Sequence, residues 1–407
     1  MRVERASSAA ELRALVPGGE SVRDAVGAIV EGVRTGGDAA LRSYVAQFDQ
    51  HEGELRVPAE DIDAAAAALR SDVRAGLEVA MSNVAAVAGA SLGDDAELEL
   101  PQGQRVHVRE LPVRRAAIYV PGGRNPYPST VVMGTVTARV AGVEEIVVCA
   151  PGAHDAILAA CALCGVDEVY AMGGAHAVAA LAFGTESIPR VDVIAGPGSL
   201  YVQEAKRLVF GEVGIDGFLG PSDLLVLAGG DADAELVAID LLAQAEHGDG
   251  TIVALVTDDA ALADTVVTRL RNAPETGAAA AVVVAGTLGE GAGVCDDFAP
   301  EHLSLQGSDA EALAARPWLA GCVFVGGSGA VAFGDYVAGS NHSLPTGGAA
   351  RFGSALSPRV FRRRMAEVRI GEAAGALARS GAPIARAEGF RMHAESMEAR
   401  VRENGAP

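Results

Sequence analysis

The sequence predicts an α/β protein built on parallel sheets. Two observations carry this. From about residue 115 to residue 325, segments that read as strands alternate with segments that read as helices, the rhythm of βαβ units covered on both faces. Half of the 407 residues are apolar, with abundant Ala, Gly and Val and only 4% aromatics, which suits tight packing of helices on sheet. A chain of this length buries a large core and forms two or more lobes.

The elements follow in order. The first hundred or so residues are helical in pattern. SVRDAVGAIVEGVRTGGDAALRSYVAQFD and AEDIDAAAAALRSDVRAGLEVAMSNVAAVAG both carry apolar residues at three- and four-residue spacing. ELELPQGQRVHVRELP reads as a polar strand pair, and RRAAIYVPGGR as a buried strand opening into a Gly-Pro loop. The alternation then runs VEEIVVCAPG, AHDAILAACALCG, VDEVYAMGG, AHAVAALAFG, VDVIAGPG and SLYVQEAKRLVFG. DLLVLAGG opens a second set, with TIVALVTDD, AAAVVVAG and GCVFVGG as further strands. Beyond about residue 355 the chain turns polar and helical to its end.

Bulk properties exclude several classes. A formal charge of −21 argues against nucleic acid or an anionic membrane as partner, because phosphate binding needs a basic surface. No stretch reaches the roughly 20 apolar residues of a membrane helix, and the opening MRVERASSAAELRALVP lacks the apolar core of a leader. The cytoplasm is the expected compartment. Five cysteines imply no disulfide framework. Cys161 and Cys164 share a helix face, with no second pair to complete a zinc site. The one lysine, Lys206, reads as a surface residue beside Arg207 and not as a Schiff-base former.

Six residues from distant strings carry the chemistry. Gln244 and His247, in LLAQAEHG, are three apart and project from one face at the end of a helix that Gly248 stops. An amide oxygen and an imidazole nitrogen suit a borderline cation such as zinc. A histidine at that position can equally serve the helix dipole. Glu301 and His302, adjacent in FAPEHL, cannot point the same way on a regular element, so they suit two different proton transfers at one substrate. The competing reading is an N-terminal helical turn with a surface Glu and a capping His. Asp335, in GDYVAGSNH, and His393, in RMHAES, are distant ligand candidates. Together the set suggests metal-assisted proton transfer. The loops GDYVAGSNHSLPTGG and VPGGRNPYPST look built for ligand approach, and Arg124 is a candidate to help a phosphate cradle there. Gly327, Gly329 and Ala332 fit a dinucleotide fingerprint but lack a convincing helix behind them, since FGDY follows at once.

YVPGGRNPYPSTV, AKRLVFGEVGID, GPSDLL, LLAQAEHG, FAPEHL, GDYVAGSNHSLPTGG and ARAEGFRMHAES, in this order and spacing, resemble histidinol dehydrogenase along most of the chain. The resemblance implies two incomplete Rossmann-like lobes with parallel sheets, an N-terminal helical extension and a C-terminal helical tail. It divides the chain at 1–118 (extension and start of the first lobe), 119–223 (second lobe), 224–355 (remainder of the first lobe, with the catalytic loops) and 356–407 (a tail exchanged in a homodimer with shared sites). It implies zinc held by Gln244, His247, Asp335 and His393, with Glu301 and His302 as the catalytic pair. Ser222, His342 and Glu388 would touch substrate beside His302 and the zinc ligands, and Tyr119 the coenzyme. The reaction it implies is oxidation of L-histidinol to L-histidine through a bound aldehyde with two NAD in succession, the last step of histidine biosynthesis.

Two positions depart from the family pattern. His176 stands where the family usually has glutamine and Ser199 where it usually has asparagine, and both usual residues contact NAD. These departures keep two other readings open. One is a related zinc- and NAD-dependent dehydrogenase of another polar amino or sulfonated alcohol. The other is a zinc hydrolase or metal-binding protein without redox activity. Ser222, His342 and Glu388 favour histidinol, and the Gly-Pro loops after parallel strands favour a dinucleotide enzyme.

Overall fold

The computed structural model describes residues 1–16, 19–122, 125–217 and 219–401. Its strands are β1 (Val3–Arg5), β2 (Ala96–Glu99), β3 (Arg105–Pro112), β4 (Arg115–Tyr119), β5 (Glu145–Cys149), β6 (Val169–Tyr170), β7 (Val193–Ala195), β8 (Gly214–Ile215), β9 (Asp223–Ala228), β10 (Ile252–Thr257), β11 (Ala279–Val284), β12 (His302–Gln306), β13 (Cys322–Val325) and β14 (Arg362–Arg369). Two units form. One holds Met1–Ser91 and Val113–Phe361; the other holds Leu92–Pro112 and the described part of Arg362–Pro407.

The larger unit contains two parallel sheets, ordered β6-β5-β4-β7-β8 and β1-β11-β10-β9-β12-β13. Their central strands are buried along their whole length, as runs such as DLLVLA and IVALVT require when helices cover both faces. On the first sheet, helices Pro128–Val140 and Asp155–Leu163 pack on one face, while Gly174–Phe183 and Leu200–Val209 pack on the other with the long helix Arg23–Tyr44. On the second sheet, helices Ala234–Ala245 and Ala260–Arg271 cover one face, and Leu288–Phe298 with the short Ala9–Arg13 cover the other. Among the described residues no helix is long and apolar enough to cross a membrane.

The smaller unit pairs β14, β3 and β2 antiparallel and adds helices Ala374–Ala387 and Arg391–Glu398. The break between these helices is a Schellman turn. Gly389 has φ +85°, the Phe390 amide donates to the Ala385 carbonyl (2.8 Å), and the Gly389 amide donates to the Arg386 carbonyl (3.0 Å). A bidentate Arg386–Glu398 pair (2.8 and 2.7 Å) and a seam of Ala382, Ala385 and Ala394 hold the two helices together.

Three sequence expectations are corrected. The tail is not helical from its start, because RRRMAEVR forms β14 against β3, with Arg364 bonded to Glu110 (2.7 Å). His302 does not lie in a helical turn but opens β12, between β9 and β13. Lys206 is not a surface lysine. It is fully buried, bonded to Asp216 and to the Gly196 carbonyl (3.0 Å), while its neighbour Arg207 faces outward and pairs with Glu204.

Candidate active site

In the first sheet the chain steps outward from β4 through β5 to β6, then returns to place β7 and β8 on the other side. The order therefore reverses between β4 and β7, and the crevice beyond the carboxyl ends of such strands is where open α/β sheets bind ligands. The segments leaving them, Pro121–Gly122 and Pro197–Ser199, line a cleft of about 280 Å³. Its other wall comes from the second sheet, but from the amino ends of the adjacent strands β9 and β12, where Ser222, Glu301 and His302 stand. The two sheets thus meet the cleft with opposite ends.

Gly196 makes the β4–β7 approach possible. Its φ is +127°, and a Cβ there would fall 2.0 Å from the Tyr119 carbonyl oxygen. Both its polar groups are taken. Its amide donates to Asp216 Oδ2 (2.6 Å) and its carbonyl accepts from Lys206 Nζ (3.0 Å). The buried ion pair therefore holds the start of the loop that lines the cleft.

One hydrogen-bonded chain links the polar residues of the far wall. Gln244 lies on the core-facing side of helix Ala234–Ala245, whose first turn Asp233 caps through the amides of Glu235 and Leu236. Its Nε2 donates to Ser222 Oγ (2.5 Å), and the Ser222 hydroxyl donates to Glu301 Oε2. The Asp223 amide donates to the same Glu301 oxygen (3.0 Å), and the Glu301 amide returns a bond to Asp223 Oδ1 (2.5 Å). His302 Nδ1 sits 3.3 Å from the Asp223 carbonyl and 3.5 Å from Glu301 Oε2. Both members of the pair are buried, which removes the reading of a surface Glu with a capping His. They also lie closer than strand alternation suggests, because Glu301 occupies a bend before β12 and its side chain folds back over β9.

Charge follows from these contacts. Burial alone would raise the Glu301 carboxyl, but His302 and the bonds from Ser222 and the Asp223 amide outweigh it and hold it below the usual range. Burial alone would lower His302, yet Glu301, Asp335 and Asp223 raise it to about 9. Asp223 is raised to about 6, chiefly by burial, against the pull of Arg13.

His247 lies just past the helix, in a turn closed by its own amide on the Gln244 carbonyl (3.2 Å), and Gly248 follows with φ +81°. It is exposed and reaches the cleft, as does Asp335 from helix Ala332–Tyr336. His342 also lines the cleft. Its Nδ1 donates to the Asp335 carbonyl (3.0 Å), which leaves Nε2 to accept from Thr130 Oγ1 (3.1 Å). Burial lowers its pKa, so it stays neutral.

The coenzyme candidates divide. Ser199 is exposed at the cleft, at the N-terminus of helix Leu200–Val209. Tyr119 and His176 are buried behind it. The Tyr119 hydroxyl accepts from the Gly174 amide (3.0 Å), and His176 Nε2 pairs with Asp49 (2.8 Å), which also accepts from the Gly173 amide (3.0 Å). The fingerprint glycines 327 and 329 follow β13, at the carboxyl end of the second sheet, whereas the cleft lies at its amino end. Arg124 lies outside the described residues. Glu388 and His393 belong to the smaller unit and are exposed there. Among the described residues no three His, Cys, Asp or Glu side chains gather into a metal-holding group.

Sequence reasoning missed Asp223, Thr130 and Arg13. Asp223 had a signal: a lone carboxylate opening the otherwise apolar strand DLLVLA. Thr130 and Arg13 had none, since their partners are 212 and 210 residues away.

The family model described as histidinol dehydrogenase matches residues 17–401. Two curated relatives named histidinol dehydrogenase are each 42% identical to this chain over 400 residues. That from Parasynechococcus marenigrum (strain WH8102) is matched over 94% of this chain and 92% of its own length, and that from Halobacterium salinarum over 94% of each. The crystal structure of a histidinol dehydrogenase from Elizabethkingia anophelis superposes with a TM-score of 0.85 at 30% identity, covering 93% of this chain and 92% of the other. An acetylating aldehyde dehydrogenase from Geobacillus thermoglucosidasius shares the fold alone (TM-score 0.50, 13% identity, 88% of this chain and 96% of the other).

Proposed function

The chain belongs to the histidinol dehydrogenase family of NAD-dependent oxidoreductases, and from that premise we propose that it oxidises L-histidinol to L-histidine through a bound aldehyde, with two NAD consumed in turn. The observation that carries the reading is the bonded chain Gln244–Ser222–Glu301–Asp223 with His302 beside it. It faces the β4–β7 crevice, where a dinucleotide would bind. His176 is turned to Asp49 and not to the cleft, so the departure at that position strips no side chain from the cleft wall. The Gly-Pro loops that line the cleft at the carboxyl ends of β4 and β7 favour a dinucleotide enzyme over the hydrolase and metal-binding alternatives.

The donors suit zinc. An amide (Gln244), an imidazole (His247) and a carboxylate (Asp335) border or back one cleft, and His393 would complete four ligands. When bound, zinc would orient the substrate's amine and imidazole nitrogens. The chain's own groups then divide the work. His302 takes the hydroxyl proton as hydride leaves the carbinol carbon. Glu301, kept ionised by its bonds, accepts a proton from the water that adds to the aldehyde carbon. His302 returns its proton to the aldehyde oxygen as that water adds, and so can take the next proton as the hydrate gives up its hydride. A cation held at Asp335 would weaken one of the pulls that raise His302, of which Glu301 is the larger.

Ser222, His342 and Glu388 would hold the substrate. Glu388 and His393 would serve the cleft of a second copy, giving a homodimer with shared sites. The smaller unit's exposed Ile384, Phe390 and Met392 (60%, 54% and 69%) support such a partner. The test is NADH formation with L-histidinol beside a panel of other polar amino and sulfonated alcohols. Preference for L-histidinol is expected, with two NADH per histidine. Preference for another alcohol moves the substrate, and no NADH from any of them removes the redox reading.

A further inference from the structure

Glu301 is held by a bend that its own residues do not favour. Ala299 sits in the left-handed region (φ +49°, ψ +68°), which a residue with a Cβ adopts only when its surroundings impose it. The surroundings are two clamps. Downstream, Asp223 accepts from the Glu301 amide and its own amide donates to the Glu301 carboxylate. Upstream, Arg13 reaches over from helix Ala9–Arg13. It donates to the Phe298 carbonyl, lies over the Phe298 ring (3.6 Å to the centroid), and donates to Asp223 Oδ2 (3.4 Å). One guanidinium therefore joins the residue before the left-handed turn to the residue that braces the one after Pro300.

We propose that Arg13 is a positioning residue for Glu301, fixing the Phe298–Glu301 bend so that the carboxylate stays aimed into the cleft. It touches neither the cleft nor the reacting atoms, and acts through Asp223 and the Phe298 carbonyl. The helix that carries it thereby belongs to the working parts of the site and is more than cover for the sheet. The inference rests on the reading in which Glu301 activates water on the aldehyde.

The experiment measures NAD reduction separately with the amino alcohol and with the amino aldehyde, in the parent protein and in Arg13→Met, Arg13→Lys, Ala299→Gly, Arg13→Met/Ala299→Gly and Glu301→Gln. Methionine keeps an apolar stem over Phe298 and loses the donors. Arg13→Met is expected to lower kcat on the aldehyde by about tenfold to a hundredfold, the scale of a small misplacement, with KM for aldehyde and NAD within about twofold. Lysine, which offers one nitrogen where the guanidinium offers two and cannot stack flat on Phe298, is expected to fall between. Glycine at 299 removes the Cβ penalty, so it is expected to be near neutral alone and to restore several-fold activity in Arg13→Met. Simple loss of helix docking would not be rescued that way. An unchanged kcat in both Arg13→Met and Arg13→Lys overturns the proposal, as does a kcat loss that Ala299→Gly leaves untouched. Should Arg13→Met fail to fold, Arg13→Lys alone decides on the same kcat-against-KM split. If Glu301→Gln spares the aldehyde step, the role of Glu301 fails instead, whatever Arg13 does.

Discussion

Replacing Lys206 by methionine tests how the buried pair beneath the cleft is balanced. Both side chains of the Lys206–Asp216 pair are fully buried, so neither charge has water to fall back on. Methionine keeps most of the apolar stem. It leaves the Gly196 carbonyl without its donor and Asp216 without its counter-charge. Removing one partner of a buried pair costs about 3–5 kcal/mol. Asp216 limits that cost by holding a proton, because burial already raises its pKa despite Lys206. A carboxyl whose folded pKa exceeds its unfolded one stabilises below the unfolded value and loses that contribution as pH rises through the folded one. The penalty should therefore be smaller at pH 5 than at pH 8. The double variant Lys206→Met/Asp216→Asn removes both charges and keeps an acceptor for the Gly196 amide. It should return to within about 1.5 kcal/mol of the parent, since neutral replacements of buried pairs are often tolerated. Urea unfolding at both pH values measures all of this. A Lys206→Met cost below about 1 kcal/mol at pH 8, or a double variant no better than the single, would refute the reasoning.

Three other outcomes are expected. His302→Asn should abolish both oxidation steps with metal content unchanged, while Glu301→Gln should slow aldehyde oxidation more than alcohol oxidation; steady-state rates with each substrate and metal analysis decide. Refolding His302→Asn and His393→Ala chains together should return activity toward half of normal per heterodimer if sites are shared between two chains, and nothing if each tail serves its own chain. Asp240→Asn should raise Tm more at pH 8 than at pH 5. Burial raises Asp240 to about 6, against a bond from Gln306, so its ionisation above that value costs the folded state, and asparagine removes the cost.

The parallel α/β core was legible because its strands are unbroken apolar runs, which only a sheet covered on both faces can use. Where polar residues do strand work the reading failed. β12 reads HLSLQ, and its buried Gln306 donates through Nε2 to Ser304 (3.2 Å) and to Asp240 (2.9 Å), the second a partner invisible in the local string. β14 (RRRMAEVR) alternates no apolar face that the sequence would flag and takes its register from β3, at least 250 residues earlier. Lys206 was misread because adjacency to Arg207 says nothing about facing: one turns to Asp216 in the core, the other to solvent. Around the cleft, local strings named residues that the fold does bring to one place: Glu301, His302, His247, Asp335 and His342. Asp223 and Arg13, which hold Glu301 in place, work across 78 and 210 residues of sequence, and nothing in either neighbourhood announces the partnership.

Lys206 is the only lysine in the chain, and none of its side chain is exposed. The folded protein therefore offers amine-acylating reagents no lysine at all. Coupling to activated-ester dyes or resins through a lysine should be silent while the first sheet is intact and should begin only as that lobe opens. The extent of acylation at a single residue then becomes a clock for local opening of the lobe. A lysine introduced at a chosen exposed position would be the sole lysine that such reagents reach on the folded molecule.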